Sequence, residues 1–421
     1  MSKPRPFAIS EVVVEEAYRR VRANKGAAGV DGETIEEFER DLEGNLYKLW
    51  NRMSSGSYFP PPVRAVEIPK PGGKGVRVLG VPTIADRIAQ TVVAMYLEPK
   101  VEPIFHPDSY GYRPGRSAGQ AVGRCRERCW RADWVIDLDI KAFFDTIPHS
   151  LIMRAVQHHT DLKWILLYVQ RWLDAPMQRE DGSLVARDRG SPQGSAISPL
   201  LANLFMHYAF DSWMQREFPG IGFERYCDDV VVHCVSEAQA VQVKVAIGRR
   251  LKECGLEMHP EKTRIVYCKD DSRRGPHEPR SFVFLGYEFR ARSMATKDGK
   301  RIFNGFGPAI SPEEGSRIRR EMREWRLHRA TRRTLTELAG WINPRLRGWI
   351  NYYGQFYKSE LAASLRLLNE HLARWAQRKY KRLRGCPGRT WAFLHRVAGR
   401  EPTLFAHWSI GLRPGRIARA R

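Results

Sequence analysis

Two adjacent acids between two short strand-like runs constrain this chain more than any other feature. Residues 223–235 read FERYCDDVVVHCV, with aromatic and β-branched residues on both sides of Asp228-Asp229. The pattern predicts a β-hairpin with two carboxylates at its tip. Such a pair repels itself unless a cation sits against it. A third acid, Asp139, lies in WVIDLDIKAFFD at the end of another apolar run. Three acids on two strand ends form the hard oxygen set that holds Mg²⁺ for two-metal phosphoryl transfer. A solvated acidic turn explains a lone Asp-Asp pair just as well, so the surrounding motifs must decide.

The chain has 421 residues, 43% of them hydrophobic and 11% aromatic, enough for two or three packed domains and incompatible with a disordered protein. Its formal charge of +23 points to a polyanionic partner, most simply nucleic acid. Residues 311–421 hold 25 Lys and Arg against 8 Asp and Glu, a net +17, which makes this quarter the expected electrostatic footprint. The seven cysteines, at 125, 129, 227, 234, 254, 268 and 386, are scattered and lack zinc-site spacing. They read as reduced thiols of a cytoplasmic, bacterial protein. No apolar leader or 18-residue apolar run is present, so neither export nor a membrane span is expected.

Periodicity predicts helices over 8–24 and 33–52, then a two-stranded ribbon turning at Pro71-Gly72-Gly73 with Lys70, Lys74 and Arg77 on one face. A helix follows over 83–98, then the loop Ser109–Arg116, a strand over 134–140 and a short polar ribbon at 177–189. Arg189–Ser195 leads into a long helix ending near 216. After the acidic hairpin come a helix at 237–254, a further hairpin over 281–289, a polar stretch at 292–312 and basic helices to the end. Strands arranged in hairpins argue for an antiparallel sheet backed by helices, an α+β fold, and the basic helical region for a separate domain.

Five segments follow one another in the order of reverse-transcriptase motifs: WVIDLDIKAFFDTIPH, RGSPQGSAISPLLANLF, RYCDDVVVHC, HPEKTRIVYC and FVFLGYEF. NKGAAGVDG, IPKPGGKGVRVLGVPT and SYGYRPGRSAGQA resemble the N-terminal blocks of bacterial group II intron reverse transcriptases. RGWINYYGQFYKS resembles their maturase thumb. The resemblance implies a right-hand polymerase with fingers and palm over residues 1–300. A helical thumb or maturase domain over 301–385 and a basic nucleic-acid-binding tail over 386–421 follow. It implies RNA-directed DNA synthesis from dNTPs on a DNA primer and RNA template, with two Mg²⁺ (Mn²⁺ as substitute), and a group II intron RNA as partner.

Residue roles follow from the same resemblance. Asp137 and Asp139 share one strand face. In the family the sugar-pocket aromatic stands five residues beyond the metal-binding acid, which selects Asp139 through Phe144; the same step from Asp137 reaches Ala142. Asp139, Asp228 and Asp229 are then the metal-binding acids, with the Ile140 carbonyl as a further donor. Asp137 is an outer acid and Asp145 a helix cap. Phe144 excludes a ribose 2′-OH, or is simply core, and Phe143 packs inward. Lys70 and Arg77 clamp the triphosphate, and Gln193 touches the nascent pair, where Gly194 lets backbone approach a nucleotide. Lys262 protonates pyrophosphate or is a solvated loop cation. Phe284, Leu285, Gly286 and Tyr287 form a primer grip or an apolar hairpin. Arg113, Arg116, Arg345 and Arg347 are nucleic-acid contacts, while the aromatics Trp341, Trp349, Tyr352 and Tyr353 mostly pack.

Cys227 and Ser195 depart from the family's common Ala and Gly. The tail lacks the acid cluster of a ribonuclease H and the His/Cys cluster of an HNH nuclease, so neither domain is expected. Two other roles remain open at this point. One is a free-standing relative that extends DNA primers in repair or defence; the other is a non-catalytic RNA-binding splicing cofactor, which has no use for three converging acids.

Overall fold

A computed structural model describes residues 6–69, 75–296, 298 and 300–415. The chain forms two compact units. One comprises Met1–Ala121 with Val135–Ile265, the other Val122–Trp134 with Val266–Arg421. Both mix helices and sheet.

In the first unit the strands are β1 (Val63–Pro69), β2 (Val76–Val81), β3 (Trp134–Leu138), β4 (Met177–Gln178), β5 (Leu184–Val185), β6 (Phe223–Tyr226), β7 (Asp229–Cys234) and β8 (Arg264–Tyr267), whose end leads out of the unit. They build two sheets, ordered β2-β1-β4-β5 and β6-β7-β3-β8. The β1–β2 ribbon is antiparallel, from Arg64↔Val81 to Pro69↔Val76. Its outer half is exposed, so it projects from the body. Against the expected antiparallel order, β4 runs parallel to β1, through Val63↔Met177. A two-residue partner strand can add to an edge in either direction, which alternation alone does not reveal.

The helix Ile84–Val101 is the pillar of this unit. Ile88, Ala89, Val92, Val93 and Leu97 are all fully buried. Ser198–Met206 is buried all round, as a central helix must be. Thr83 caps the pillar by accepting from the Asp86 N–H. The Asp86 carboxylate is itself buried, taking hydrogen bonds from Tyr58 (2.8 Å), Trp172 (2.6 Å) and Gln90 (2.9 Å). Burial pushes its carboxyl up to about 6 despite those donors.

The second unit opens on a three-stranded antiparallel sheet ordered β11-β10-β9: β9 (Phe282–Phe284), β10 (Tyr287–Ala295) and β11 (Ile302–Ile310). Phe282, Phe289 and Phe306 stack on its buried face. Residues 292–312, expected to be irregular, are thus mostly a long hairpin, and the region beyond 301 begins with a strand rather than helix. Helices Pro312–Glu324, Leu335–Tyr353, Lys358–Lys379 and Pro387–Arg400 follow. Thr334 and Glu337 form a capping box at the second of these. Trp349 packs face to face on Trp325 at 5.7 Å, so it is a core residue, as expected of most of these aromatics.

The helix expected over 33–52 is broken. Ile35–Phe38 stops, and Asp41 caps a new helix, Leu42–Ser54, through the Gly44 N–H. No helix among the described residues is long and apolar enough to cross a membrane.

Candidate active site

The first unit carries an open cleft of about 1280 Å³. Strand β3 ends at Leu138, and the chain beyond it is stapled to residues 257–263. The Asp139 carbonyl accepts from His259 N–H at 2.8 Å, and Lys141 N–H donates to the Glu257 carbonyl at 2.9 Å. Thr263 Oγ1 also lies 3.2 Å from the Asp139 carbonyl. This staple brings Lys262 Nζ to 3.2 Å from Asp139 Oδ2. Asp139, Ile140, His259 and Lys262 all line the cleft. His259 was not expected there; its Nδ1 is buried without a protein partner.

Asp137 is different in kind. It pairs with Arg264 at 3.1 Å, and only 14% of its side chain is exposed. Burial pushes its carboxyl up to about 6, with the Arg264 hydrogen bond and charge pulling the other way.

The acidic hairpin closes one residue earlier than its sequence suggests. Tyr226 pairs with Asp229, so the loop is Cys227-Asp228 and Asp229 opens β7. Two-residue hairpin loops need positive φ at their first position, and Cys227 supplies it at φ 63°. Asp228 lines the cleft with Asp139. Its carboxyl is pushed up, chiefly by burial, with the charge of Asp139 adding and hydrogen bonds from its own backbone N–H and the Cys227 thiol opposing. Two carboxylates facing one cleft, with the charge of Asp139 helping to raise Asp228, fit a divalent cation held by oxygen ligands.

After Asp139 the chain turns through Ala142, which is left-handed at φ 46°, into the short helix Phe143–Thr146. Asp145 lies inside that helix and Ala142 occupies the cap position, so Asp145 is not the cap. Phe143 is buried against Phe205, while Phe144 is half-buried in the cleft wall. Arg77 and Gln193 also line the cleft, and Lys70 lies outside the described residues. The Gln193 carbonyl accepts from the Gly80 N–H at 2.6 Å. At Gly194, with φ 107°, a Cβ would meet the Gly80 carbonyl at 2.8 Å, so strand β2 accounts for this glycine without a nucleotide. Gln90 is a support that sequence patterns missed: its Oε1 accepts from Ser195 Oγ and Ala196 N–H, tying this loop to the pillar helix.

Arg113 is not a nucleic-acid contact. Its side chain is 5% exposed, and its guanidinium is engaged by the Glu102 carboxylate and the carbonyls of His106 and Ser109. A guanidinium so enclosed has no face left for phosphate. Arg116 is exposed, with its guanidinium 5.9 Å from the Tyr110 ring.

In the second unit Phe284 and Tyr287 pair across a tight turn in which Leu285 and Gly286 have φ 52° and 77°. Phe284 and Tyr287 are buried, and Tyr352 donates its hydroxyl to the Leu285 carbonyl at 2.8 Å. Arg345 and Arg347 are exposed, and Arg345 pairs with Glu321. A basic groove is formed by His328, Arg374, Arg378 and Arg384; the three arginines are near one another in sequence, and only the fold brings His328 to them.

Residues 68–289 match the family model for reverse transcriptase (RNA-dependent DNA polymerase), over half of the chain. Residues 316–396 match the group II intron maturase-specific domain. The chain is 32% identical over 321 residues to Protein YkfC of Escherichia coli (strain K12), covering 66% of this chain and 80% of that protein. It is 27% identical over 424 residues to Group II intron-encoded protein LtrA of Lactococcus lactis subsp. cremoris, covering 80% and 68%. With the Putative COX1/OXI3 intron 1 protein of Saccharomyces cerevisiae the identity is 33%, over 64% of this chain and 37% of the relative.

Proposed function

The chain belongs to the group II intron reverse transcriptase and maturase family, as an RNA-directed DNA polymerase joined to a maturase domain, and on that premise we propose how its residues divide the work. The observation that carries the reading is the meeting of Asp139 and Asp228 in one cleft with Lys262, Arg77, Gln193 and Phe144. Asp139 and Asp228 would hold two Mg²⁺, with Asp229 and the Ile140 carbonyl as further donors. Bound there, the ions supply charge neutralisation and lower the pKa of the attacking primer 3′-OH.

The chain's own groups do the rest. Arg77, on the projecting ribbon, and Lys70, which follows β1 in sequence, hold the triphosphate, so that ribbon acts as fingers over a palm made by the β6-β7-β3-β8 sheet. Gln193 contacts the nascent pair, and Phe144 crowds a 2′-OH. Lys262 delivers a proton to the leaving pyrophosphate. The turn at Phe284–Tyr287 supports the primer strand. The exposed arginines of the helical region, Arg345 and Arg347 among them, engage intron RNA, acting as thumb and maturase.

Two assays on the same preparation test this reading. Primer extension on an RNA template reports the polymerase, and splicing of the flanking intron RNA at low Mg²⁺ reports the maturase. Asp229→Ala should remove the first and keep the second, because compacting an RNA requires cationic contacts and no metal site in the protein. Loss of both together, with RNA affinity intact, would contradict the division.

A further inference from the structure

We propose that Arg225, clamped by Asp211, is a positioning residue that holds the Cys227-Asp228 turn in its left-handed form and so aims Asp228 into the cleft. The inference rests on that cleft being the metal-dependent polymerase site.

Arg225 sits on β6, and neither its side chain nor that of Asp211 is exposed at all. All five guanidinium N–H groups are used. Nε and Nη2 take the two Asp211 oxygens at 2.7 and 2.6 Å. Nη2 also donates to Ser109 Oγ at 2.8 Å, and Nη1 to Asn203 Oδ1 at 2.9 Å. The remaining bond, from Nη1 at 3.0 Å, goes to the Cys227 carbonyl. That carbonyl belongs to the peptide linking Cys227 to Asp228.

Left-handed backbone costs a non-glycine residue about 1 kcal/mol or more, and Cys227 adopts it at φ 63°. Something must hold it there. The 109–111 loop presses on the same turn, since a Cβ on Gly111 would lie 2.6 Å from the Cys227 nitrogen. Asn203, which receives Arg225, also donates to the Gly111 carbonyl at 2.6 Å. The main chain is tied as well: Arg225 N–H donates to the Asp108 carbonyl, and Tyr110 N–H to that of Arg225. Loop, helix and hairpin therefore converge on one peptide beside Asp228.

Two observations argue against ordinary packing as the whole explanation. A fully buried ion pair is no more stabilising than well-packed apolar side chains of similar size, and frequently less so. Asp211 also closes a π turn, His207–Asp211, in the middle of a helix. Such turns interrupt the regular hydrogen bonding of a helix and recur at functional sites. Both departures are understandable if the geometry of the Cys227 carbonyl is what they serve.

The test uses the full chain with both partners replaced by apolar residues, Arg225→Met with Asp211→Leu, so that no buried charge is orphaned. Melting, primer-template affinity, dNTP KM, turnover and the Mg²⁺ needed for half-maximal extension are measured. The proposal expects a folded protein with near wild-type affinity and KM. Turnover should fall, or the Mg²⁺ requirement rise, by about tenfold or more. Adding Cys227→Gly should recover part of the loss, because glycine adopts the turn unaided. A folded double variant with wild-type turnover and Mg²⁺ dependence would overturn the proposal, and so would a loss that Cys227→Gly leaves untouched. If the double variant does not fold, Ser109→Ala removes one acceptor of the guanidinium. It should raise the Mg²⁺ requirement about twofold or more at unchanged melting temperature, and an unchanged requirement overturns the idea. Absence of metal-dependent synthesis in the wild type would instead strike the polymerase reading itself.

Discussion

Lys262 Nζ lies 3.2 Å from Oδ2 of Asp139, a contact that spans 123 positions of sequence. Both side chains are substantially exposed, so the pair is worth well under about 1 kcal/mol of stability. Its interest is chemical: an ammonium held at the rim of an acidic cleft is placed to meet a leaving anion.

Lys262→Met should therefore leave the melting temperature unchanged and lower the maximal extension rate by about 100-fold, the usual scale of a general acid. Pre-steady-state incorporation measured across pH would check it. An undiminished rate would return Lys262 to the role of a loop cation.

Phe144 forms part of the cleft wall, while its neighbour Phe143 is buried. Phe144→Ala should raise rNTP incorporation relative to dNTP by about tenfold or more, since removing a steric block relaxes discrimination between sugars. Competitive single-nucleotide incorporation reads this ratio. No change in the ratio would make Phe144 a packing residue.

His407 gives a pH prediction in the second unit. Burial pushes its imidazole down to about 3, and its Nε2 pairs with Asn369 Oδ1 at 2.9 Å. A folded-state pKa below the unfolded value of 6.5 means that the stability is present above 6.5 and is lost progressively as pH falls towards 3. Between pH 7.5 and 5 the loss should be about 2 kcal/mol. His407→Gln should remove that component, so its stability deficit against the wild type should shrink on acidification. Chemical denaturation at the two pH values measures it.

What could be read in the sequence was what local pattern encodes. The 223–235 hairpin announces itself through aromatic and β-branched runs, and Asp139 through the apolar strand before it. The loop register was missed by one residue because a left-handed Cys227 has no compositional signal, unlike the Asn-Gly pairs that usually mark such turns. Strand β11 was missed because Gly305, Gly307 and Pro308 disguise a strand whose partner, β10, supplies the order. Arg113 in a Gly/Pro-rich loop looks like a phosphate contact, and only Glu102 and the folded loop explain its burial. Arg225 could not be singled out at all, since its partners Ser109, Asn203 and Asp211 come from separate elements.

The basic groove of Arg374, Arg378 and Arg384 should carry part of the RNA footprint. Replacing all three by Gln should reduce the slope of log affinity against log salt by about 2, since each phosphate contact contributes just under one. Filter binding of structured RNA over a salt series checks this. An unaltered slope would place the footprint elsewhere.

The central claim is that Asp139 and Asp228 serve one metal-dependent site. It is tested most directly by primer extension on an RNA template with Asp139→Asn and Asp228→Asn, at saturating primer-template and over a range of Mg²⁺. Each variant should bind primer-template as the wild type does and lose synthesis by at least about 1000-fold at every Mg²⁺ concentration, because an amide cannot replace a charged metal ligand. Either variant extending primers at a rate near that of the wild type would contradict the account.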